Sequence, residues 1–496
     1  MLTIVLQNSF NDAKELIEKT AKKTDCYEFR LDTFGNLDVE QLKGLFKLSS
    51  PIKTILTFRM SSQGGMFEGS FHKRWEILKP HLSLEPTYVD FEYNTPEEYL
   101  NELKQEFPNI KLILSYHDFE QTDPDLFSLT KRVLLSKNAD AYKLATKANH
   151  INDALRMFTL VRSLSEDRLF TGICMGEKGA LTRILAPVLG STFNYVVGKK
   201  GLESAEGQLG IHELIKTYRY RSLNKGTKIF ALLGNPVAQS PSHITHNKVF
   251  QKLEENAVYI KIKLEKEEFS SFVNLAKDLP FYGFSVTVPF KEIAGADCKT
   301  LDDYGKKIGA VNTLYKRKGE FHGTNTDGIG ALRALEHYIK LKGKTVVVLG
   351  AGGSARAITY ALQKCGAKIV IINRTASKAH NLAKEFGCDG FGVDEFSHDT
   401  VESPDVIINT TTVGMNDVAS TPLRGECISK KALVMDIVTS PKETKLLKLA
   451  QEKGCTVMYG YEMFVYQAIE QFILFIDQKL DRQMLEKSIK DAYFLL

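Results

Sequence analysis

The chain has 496 residues, which at roughly 100–200 residues per domain predicts two to four domains, and its 43% hydrophobic and 25% charged residues exclude a largely disordered protein. Lys+Arg at 65 against Asp+Glu at 60 leaves +5 over the whole length, too thin a surplus for a nucleic-acid or anionic-membrane binder, although a small anionic substrate needs only a few local cations. No apolar run of about 18 residues occurs, so no membrane partner is expected. The opening MLTIVLQNSFNDAKELIEK lacks a basic start and carries Asp12, Glu15 and Glu18, so it reads as a strand and helix rather than a leader. Seven scattered cysteines without a CxxC pair read as free thiols of a cytoplasmic protein, with no metal site expected.

In chain order, strands are predicted at Leu2–Leu6, Cys26–Leu31, Lys53–Phe58, Thr87–Glu92, Lys111–Tyr116, Ala139–Leu144, Leu169–Met175 and Thr192–Val197. Helical spacing over Pro96–Phe107 and Asn152–Leu164 falls between them. Strands alternating with helices over residues 1–222 fit an α/β architecture, a parallel (β/α)8 TIM barrel. The polar stretch RSLNKGT (221–227) marks a boundary, and a new strand–helix series starts with KIFALLGNPV. A second domain is placed at 227–335, completed by C-terminal helices within 460–496. A third, at 336–459, opens with LKGKTVVVLGAGGSARA.

Gly350, Gly352 and Ala355 have the G-x-G-x-x-A spacing between a strand and a helix, with Ala351, Gly353 and Ser354 in the same turn. Glycines there permit a tight turn and let the backbone approach a pyrophosphate at a helix N-terminus, the Rossmann arrangement. The next strand, AKIVIINRT, ends in Asn373, Arg374 and Thr375, with Lys378 beyond, where an NAD site usually has an acid. Positive charge there favours a 2′-phosphate, hence NADP(H). A solvated basic loop is the plainer alternative.

Barrel chemistry sits at the C-terminal strand ends. Those ends present Glu28 and Arg30, Arg59, Glu92, His117 and Lys143, with Arg183 later. Burying Lys143 between Tyr142 and Leu144 lowers its pKa, and a neutral amine can attack a carbonyl to form a Schiff base. His117 can shuttle a proton with Glu92 orienting it. Singly, each has a duller reading as a cap, a snorkelling chain or a surface pair.

The series CYEFRLD (26–32), TFR (57–59), YVDFE (88–92), SYHDF (115–119), DAYKLA (140–145), MGEKGALTR (175–183) and SAEGQ (204–208) resembles type I 3-dehydroquinate dehydratase. The resemblance implies that Lys143 forms the imine, His117 moves the proton, Glu92 holds the imidazole and Arg183 grips the substrate carboxylate. It implies that Glu28, Arg30, Arg59, Ser204 and Gln208 bind the ring hydroxyls. Thr182 replaces the family's usual Ser and keeps the hydroxyl.

In the second half, LLGNPVAQSPSHITHN (232–247), FSVTVPFKE (284–292), GAVNT (309–313), GTNTDGIG (323–330), INTTTVGM (408–415) and GYEMFVYQA (460–468) resemble shikimate dehydrogenase. Reducing a carbonyl requires a proton at its oxygen, and a Lys held by a carboxylate can supply it. The resemblance makes Lys291 and Asp327 that pair. It places Ser240, Ser242, Thr287, Asn312 and Gln467 on the substrate, and Met415 and Gly460 near NADP with the Gly-rich turn and basic loop. Three departures stand out: Gln239 before Ser240 where the family often has His, Ser285 for Asn and Thr439 for Tyr. Thr439 leaves a quinate-preferring half as an alternative.

The two resemblances are consecutive, since one reaction's product is the ketone the other reduces, and together they imply a bifunctional enzyme with no partner subunit required, so that a monomer suffices. A Schiff-base aldolase and a scaffold with decayed sites are the competing classes.

Overall fold

The computed structural model describes every residue except 36, 37, 200, 202, 397–400, 402 and 496. It separates into two compact units, Met1–Thr227 and Lys228–Leu496.

In the first unit, eight strands run parallel: β1 (Leu2–Leu6), β2 (Cys26–Arg30), β3 (Lys53–Thr57), β4 (Tyr88–Glu92), β5 (Lys111–Asp118), β6 (Ala141–Lys147), β7 (Leu169–Met175) and β8 (Asn194–Val196). Their order is β7-β6-β5-β4-β3-β2-β1-β8, a nearly closed α/β barrel. Between β7 and β8 a strand ladder gives way to two bonds, Thr192 N to Phe170 O at 2.9 Å and Phe193 N to Thr171 Oγ1 at 2.9 Å. β5 and β6 run past their expected ends because they pair with each other through His117↔Ala145 and Asp118↔Thr146, and β6 with β7 as far as Lys147↔Met175. Side chains alternate across a strand, so one set faces inward. Val5, Cys26, Ile55, Tyr88, Ile113, Ala141, Ile173 and Tyr195 fill the barrel floor. Two residues further along their strands come Glu28, Thr57, Asp90, Ser115 and Lys143, which therefore form the layer above.

The second unit holds two sheets. The first comprises β9 (Lys228–Gly234), β10 (Ala257–Lys263), β11 (Phe281–Val286), β12 (Thr300–Leu301), β13 (Thr313–Arg317) and β14 (Glu320–Thr324), in the order β10-β9-β11-β13-β14-β12. The second comprises β15 (Thr345–Leu349), β16 (Lys368–Asn373), β17 (Asp389–Gly392), β18 (Val406–Asn409), β19 (Leu433–Asp436) and β20 (Thr456–Met458), in the order β17-β16-β15-β18-β19-β20. All its pairings are parallel, with the strand order reversing at β15, the Rossmann pattern that opens a crevice at the strand C-termini.

The helix Gly460–Ile476 returns to the first sheet, where Phe475 meets Phe230 at 4.9 Å between ring centroids and Phe472 stacks on His246 at 4.7 Å. It also packs on the helix Asp327–Glu336, and Gly330 makes that approach possible. A Cβ there would lie 2.7 Å from both the Gln467 backbone nitrogen and its Cβ. Gly330→Ala is therefore expected to cost about 1–3 kcal/mol by forcing the two helices apart. The single tryptophan, Trp75, is buried in the first unit. In urea, the far-UV circular dichroism of the variant should show an earlier transition while the tryptophan fluorescence midpoint stays in place.

Candidate active sites

Within the barrel, Lys143 is 6% exposed, and its Nζ lies 3.4 Å from Asp90, 3.9 Å from Glu28 and 4.1 Å from the centre of the Tyr195 ring. Burial is the main force on this amine and pushes its pKa below the ordinary lysine range. Glu28 and Asp90 oppose the shift, while Arg59 and Arg30 add to it. Asp90 is the centre of this layer: Arg59 donates to it at 2.8 Å and Ser115 Oγ at 2.6 Å. Burial alone would raise the Asp90 carboxyl, but Arg59 and Lys143 overcome it and hold the group well below the usual carboxylate range.

His117 stacks on Phe119 with ring centroids 6.0 Å apart, and its Nδ1 is buried without a hydrogen-bond partner. Burial, then Arg59 and Lys143, keep its pKa well below the normal histidine value, so the imidazole is neutral and can accept a proton. The side chain of Gln63 bonds the His117 backbone from both sides, accepting from its N–H at 2.9 Å and donating to its carbonyl at 3.4 Å.

No hydrogen bond joins Glu92, expected from the sequence to orient this imidazole, to His117 among the described residues. Its carboxylate forms ion pairs with Arg74 at 2.5 Å and Arg59 at 3.5 Å and accepts from Met60 N at 3.0 Å. Two buried guanidiniums are strong partners for one carboxylate. Glu92 is also absent from the cavity wall formed by Glu28, Arg30, Arg59, His117, Lys143, Arg183, Ser204 and Gln208. Gln63 and Tyr195 belong to that wall, although the sequence reading singled out neither.

Arg30 is held bidentately by Asp32, with contacts of 2.9 and 2.7 Å. Ser204 and Gln208 bond each other twice, both at 2.9 Å. Arg183 differs from the other arginines. It is 2% exposed, donates to the Tyr195 carbonyl at 3.2 Å, leaves Nε unpartnered and makes no ion pair with any described residue. Burial alone lowers its pKa to about 10. A buried guanidinium with no acid beside it is set up to receive an anion.

In the second unit, Lys291 Nζ donates to Asp327 Oδ2 in a short ion pair and to Ser354 Oγ at 3.0 Å. Asn312 Nδ2 holds the other Asp327 oxygen at 2.7 Å, and Ser354 Oγ reaches Oδ2 at 3.2 Å. Residues from four separate stretches thus fix the amine at one point. Ser240, Ser242, Thr287, Gln467, Met415, Thr439 and Gly460 line the same cavity. Gln471, one helical turn beyond Gln467, accepts from Ser285 Oγ at 2.9 Å and donates to Thr313 Oγ1 at 2.9 Å. Helical i, i+4 spacing was the available signal for it.

The Gly-rich turn lies at the C-terminal end of β15, where Gly350 has φ +115, a conformation few L side chains adopt. A Cβ on Gly352 would meet nothing within 4 Å, leaving room above the N-terminus of the helix Gly353–Lys364. A Cβ on Gly353 would instead lie 3.0 Å from Lys291 Cβ, so the turn sits against the ion pair. Ala351, Gly352, Asn373, Arg374, Thr375 and Lys378 line a neighbouring depression, and neither Arg374 nor Lys378 is ion-paired among the described residues.

A depressed amine on the third residue of β6, well before the end where the sequence placed it, shares a cavity with a neutral imidazole, and this is the equipment of an imine-forming lyase. A fixed Lys–Asp pair abutting a dinucleotide-type turn is that of a dehydrogenase, so the chain is a two-site enzyme. Comparison with known proteins agrees. Residues 2–225 match the family described as type I 3-dehydroquinase, 232–314 the shikimate dehydrogenase substrate binding domain and 332–445 the shikimate / quinate 5-dehydrogenase family. The bifunctional 3-dehydroquinate dehydratase/shikimate dehydrogenase, chloroplastic, of Arabidopsis thaliana is 35% identical over 91% of this chain and 77% of its own length. The shikimate biosynthesis protein AroDE of Chlamydia pneumoniae is 34% identical over 94% of this chain and 93% of its own. A crystal structure of shikimate dehydrogenase in complex with NADP+ superposes with a TM-score of 0.51 at 35% identity, covering 55% of this chain and 97% of that one. The chain belongs to the family of bifunctional 3-dehydroquinate dehydratase/shikimate dehydrogenases.

Imine formation at Lys143 needs the free amine, so its pH dependence reports the environment described above. Borohydride trapping of a small keto acid at Lys143 should rise with pH at a midpoint below the ordinary lysine range. Asp90→Asn removes a charge that holds the proton on, and should move the midpoint lower still. An upward movement would contradict this electrostatic account.

Proposed function

We propose that the two sites act in sequence on one carbon skeleton, dehydrating 3-dehydroquinate and then reducing the resulting 3-dehydroshikimate to shikimate. The observation that carries the first step is the depressed Lys143 amine in a cavity that also contains the unpaired Arg183. Arg183 receives the substrate carboxylate and orients the ring ketone toward Lys143. The amine adds to the carbonyl carbon, water leaves, and an imine forms that withdraws electrons from the adjacent carbon. Neutral His117 takes the proton released there and returns it to the departing hydroxyl, giving water and the conjugated ring. Hydrolysis of the imine regenerates the amine. Glu28, Arg30, Arg59, Ser204 and Gln208 hold the hydroxyls, and Gln63 fixes the backbone that carries the imidazole.

The second cavity fits NADP(H). Gly352 leaves open space over a helix N-terminus, and Arg374 and Lys378 offer unpaired charge to a 2′-phosphate. Bound there, the nucleotide supplies the hydride. Lys291 gives the proton to the carbonyl oxygen while Asp327, fixed by Asn312, keeps the amine in place. Ser240, Ser242, Thr287 and Gln467 hold the ring acid. The relatives matched over most of the chain are shikimate enzymes, so shikimate is the product proposed rather than quinate. Both steps are carried by side chains and the nucleotide, and no metal enters the scheme. No described helix is long and apolar enough to cross a membrane. All seven cysteines are free, which fits a reducing compartment. A cytoplasmic monomer acting on small molecules, without a nucleic-acid partner, completes the proposal.

A one-pot assay with 3-dehydroquinate and NADPH tests the whole reading, with enone absorbance expected first and NADPH loss following. Lys143→Ala should abolish enone formation yet leave reduction of added 3-dehydroshikimate intact, and Lys291→Ala should do the converse. Loss of both activities from either folded variant would refute two independent sites. Arg374→Ala should raise the KM for NADPH by about tenfold and leave any turnover with NADH unchanged, the value of a charge-assisted phosphate contact. An equal effect on both nucleotides would place the 2′-phosphate elsewhere.

A further inference from the structure

The last helix, Arg482–Phe494, ends against the loop that follows β19, and that loop forms part of the reductive cavity. Tyr493 makes the join in two ways. Its hydroxyl donates to the Thr439 carbonyl at 3.0 Å, and its ring meets Phe464 at 6.0 Å between centroids. Thr439 and Phe464 both line the cavity that holds Lys291 and Asp327. Three residues along the same loop, Lys442 lies over the rings of Tyr459, Tyr461 and Phe494 at 5.3, 5.8 and 5.5 Å. Tyr461 in turn packs on Tyr493 at 5.5 Å. From the interior, Asp436 accepts from Val438 N at 3.0 Å and from Thr444 Oγ1 at 2.7 Å. The segment between those two anchors is held from outside by the last helix.

We infer that Tyr493 is a positioning residue of the reductive site, fixing the Thr439 loop so that the short Thr439 side chain stays within reach of the bound ring acid. The inference rests on the assignment of this cavity to 3-dehydroshikimate. A threonine hydroxyl stands close to its own backbone, so a displacement of about 1 Å carries it out of hydrogen-bonding distance. The wall must therefore be fixed by something else, and the hydroxyl of Tyr493 and the aromatic cage around Lys442 are the groups in place to do so. A residue near the end of the chain, outside the motif segments of the dehydrogenase half, thereby takes part in substrate recognition.

The test uses the full-length enzyme with Tyr493→Phe, which removes one oxygen and keeps the ring packing. The KM for 3-dehydroshikimate is expected to rise roughly three- to tenfold, the loss of one hydrogen bond, with kcat within about a factor of two. The KM for NADPH and the dehydration rate should not change. Lys442→Gln should move the same KM in the same direction by less. An unchanged KM for 3-dehydroshikimate would overturn the inference. So would a lower kcat at constant KM, which signals a smaller folded fraction, or an equal rise in both KM values, which signals a loosened cleft. Lys291→Ala serves as the reference: if it retains reduction, the assignment of the cavity fails. If it abolishes reduction while Tyr493→Phe is silent, only the role of Tyr493 fails.

Discussion

Asp90, wholly buried, lies between the Arg59 guanidinium and the Lys143 amine, and the chemistry of the barrel depends on how its charge is shared. An isolated carboxylate would be too costly to keep ionised in this interior. Two cations keep it ionised, and it in turn lets both of them stay buried. The sharing is uneven. Arg59 takes the close contact at 2.8 Å, while Lys143 stands off at 3.4 Å. Lys143 therefore remains the cation that burial destabilises most effectively, which is the condition a nucleophilic amine requires. Burial first, and then the positive field of Arg59 and Lys143, keeps His117 neutral.

The second unit solves a different problem. In the proposed reaction its lysine delivers a proton at a fixed point. Accordingly Lys291 is clamped by Asp327 and Ser354, and Asp327 by Asn312, in a closed ring of bonds. The Gly-rich turn can approach that ring only because Gly353 carries no side chain toward Lys291. The helix bearing Gln467 can approach the helix bearing Asp327 only because Gly330 has none. Two missing methyl groups thus permit both approaches. In the proposed scheme a lysine side chain serves in one unit as a nucleophile and in the other as a proton donor, and its surroundings make the difference.

Much of this was legible from spacing. Apolar runs between helical stretches identified the strands that carry Glu28, His117 and Lys143 at or near their ends, and the G-x-G-x-x-A turn with Arg374 beyond it pointed to the nucleotide end. Asp90 stands two residues before Glu92 in the quoted YVDFE, but the sequence reading singled out only Glu92. Nothing in that spacing says which of them the cations take. Gln63 lies in a loop after β3 and Tyr195 on the shortest strand of the barrel, where neither period marks a site. The pairing of Glu92 with Arg74 was not legible, because Arg74 comes from the helix Phe71–Leu82, which no motif includes.

The sequence by itself determined the order of elements, the inward faces of the strands and the residue types that the two reactions need. These follow from local periodicity and from chemistry written on individual side chains. Only the tertiary structure decided which charges pair with which, where the last helix returns, and which amine has its proton affinity lowered. Those outcomes come from competition among groups far apart in the chain for the same buried volume. In a medium of low dielectric constant, differences of a few tenths of an ångström reorder that competition.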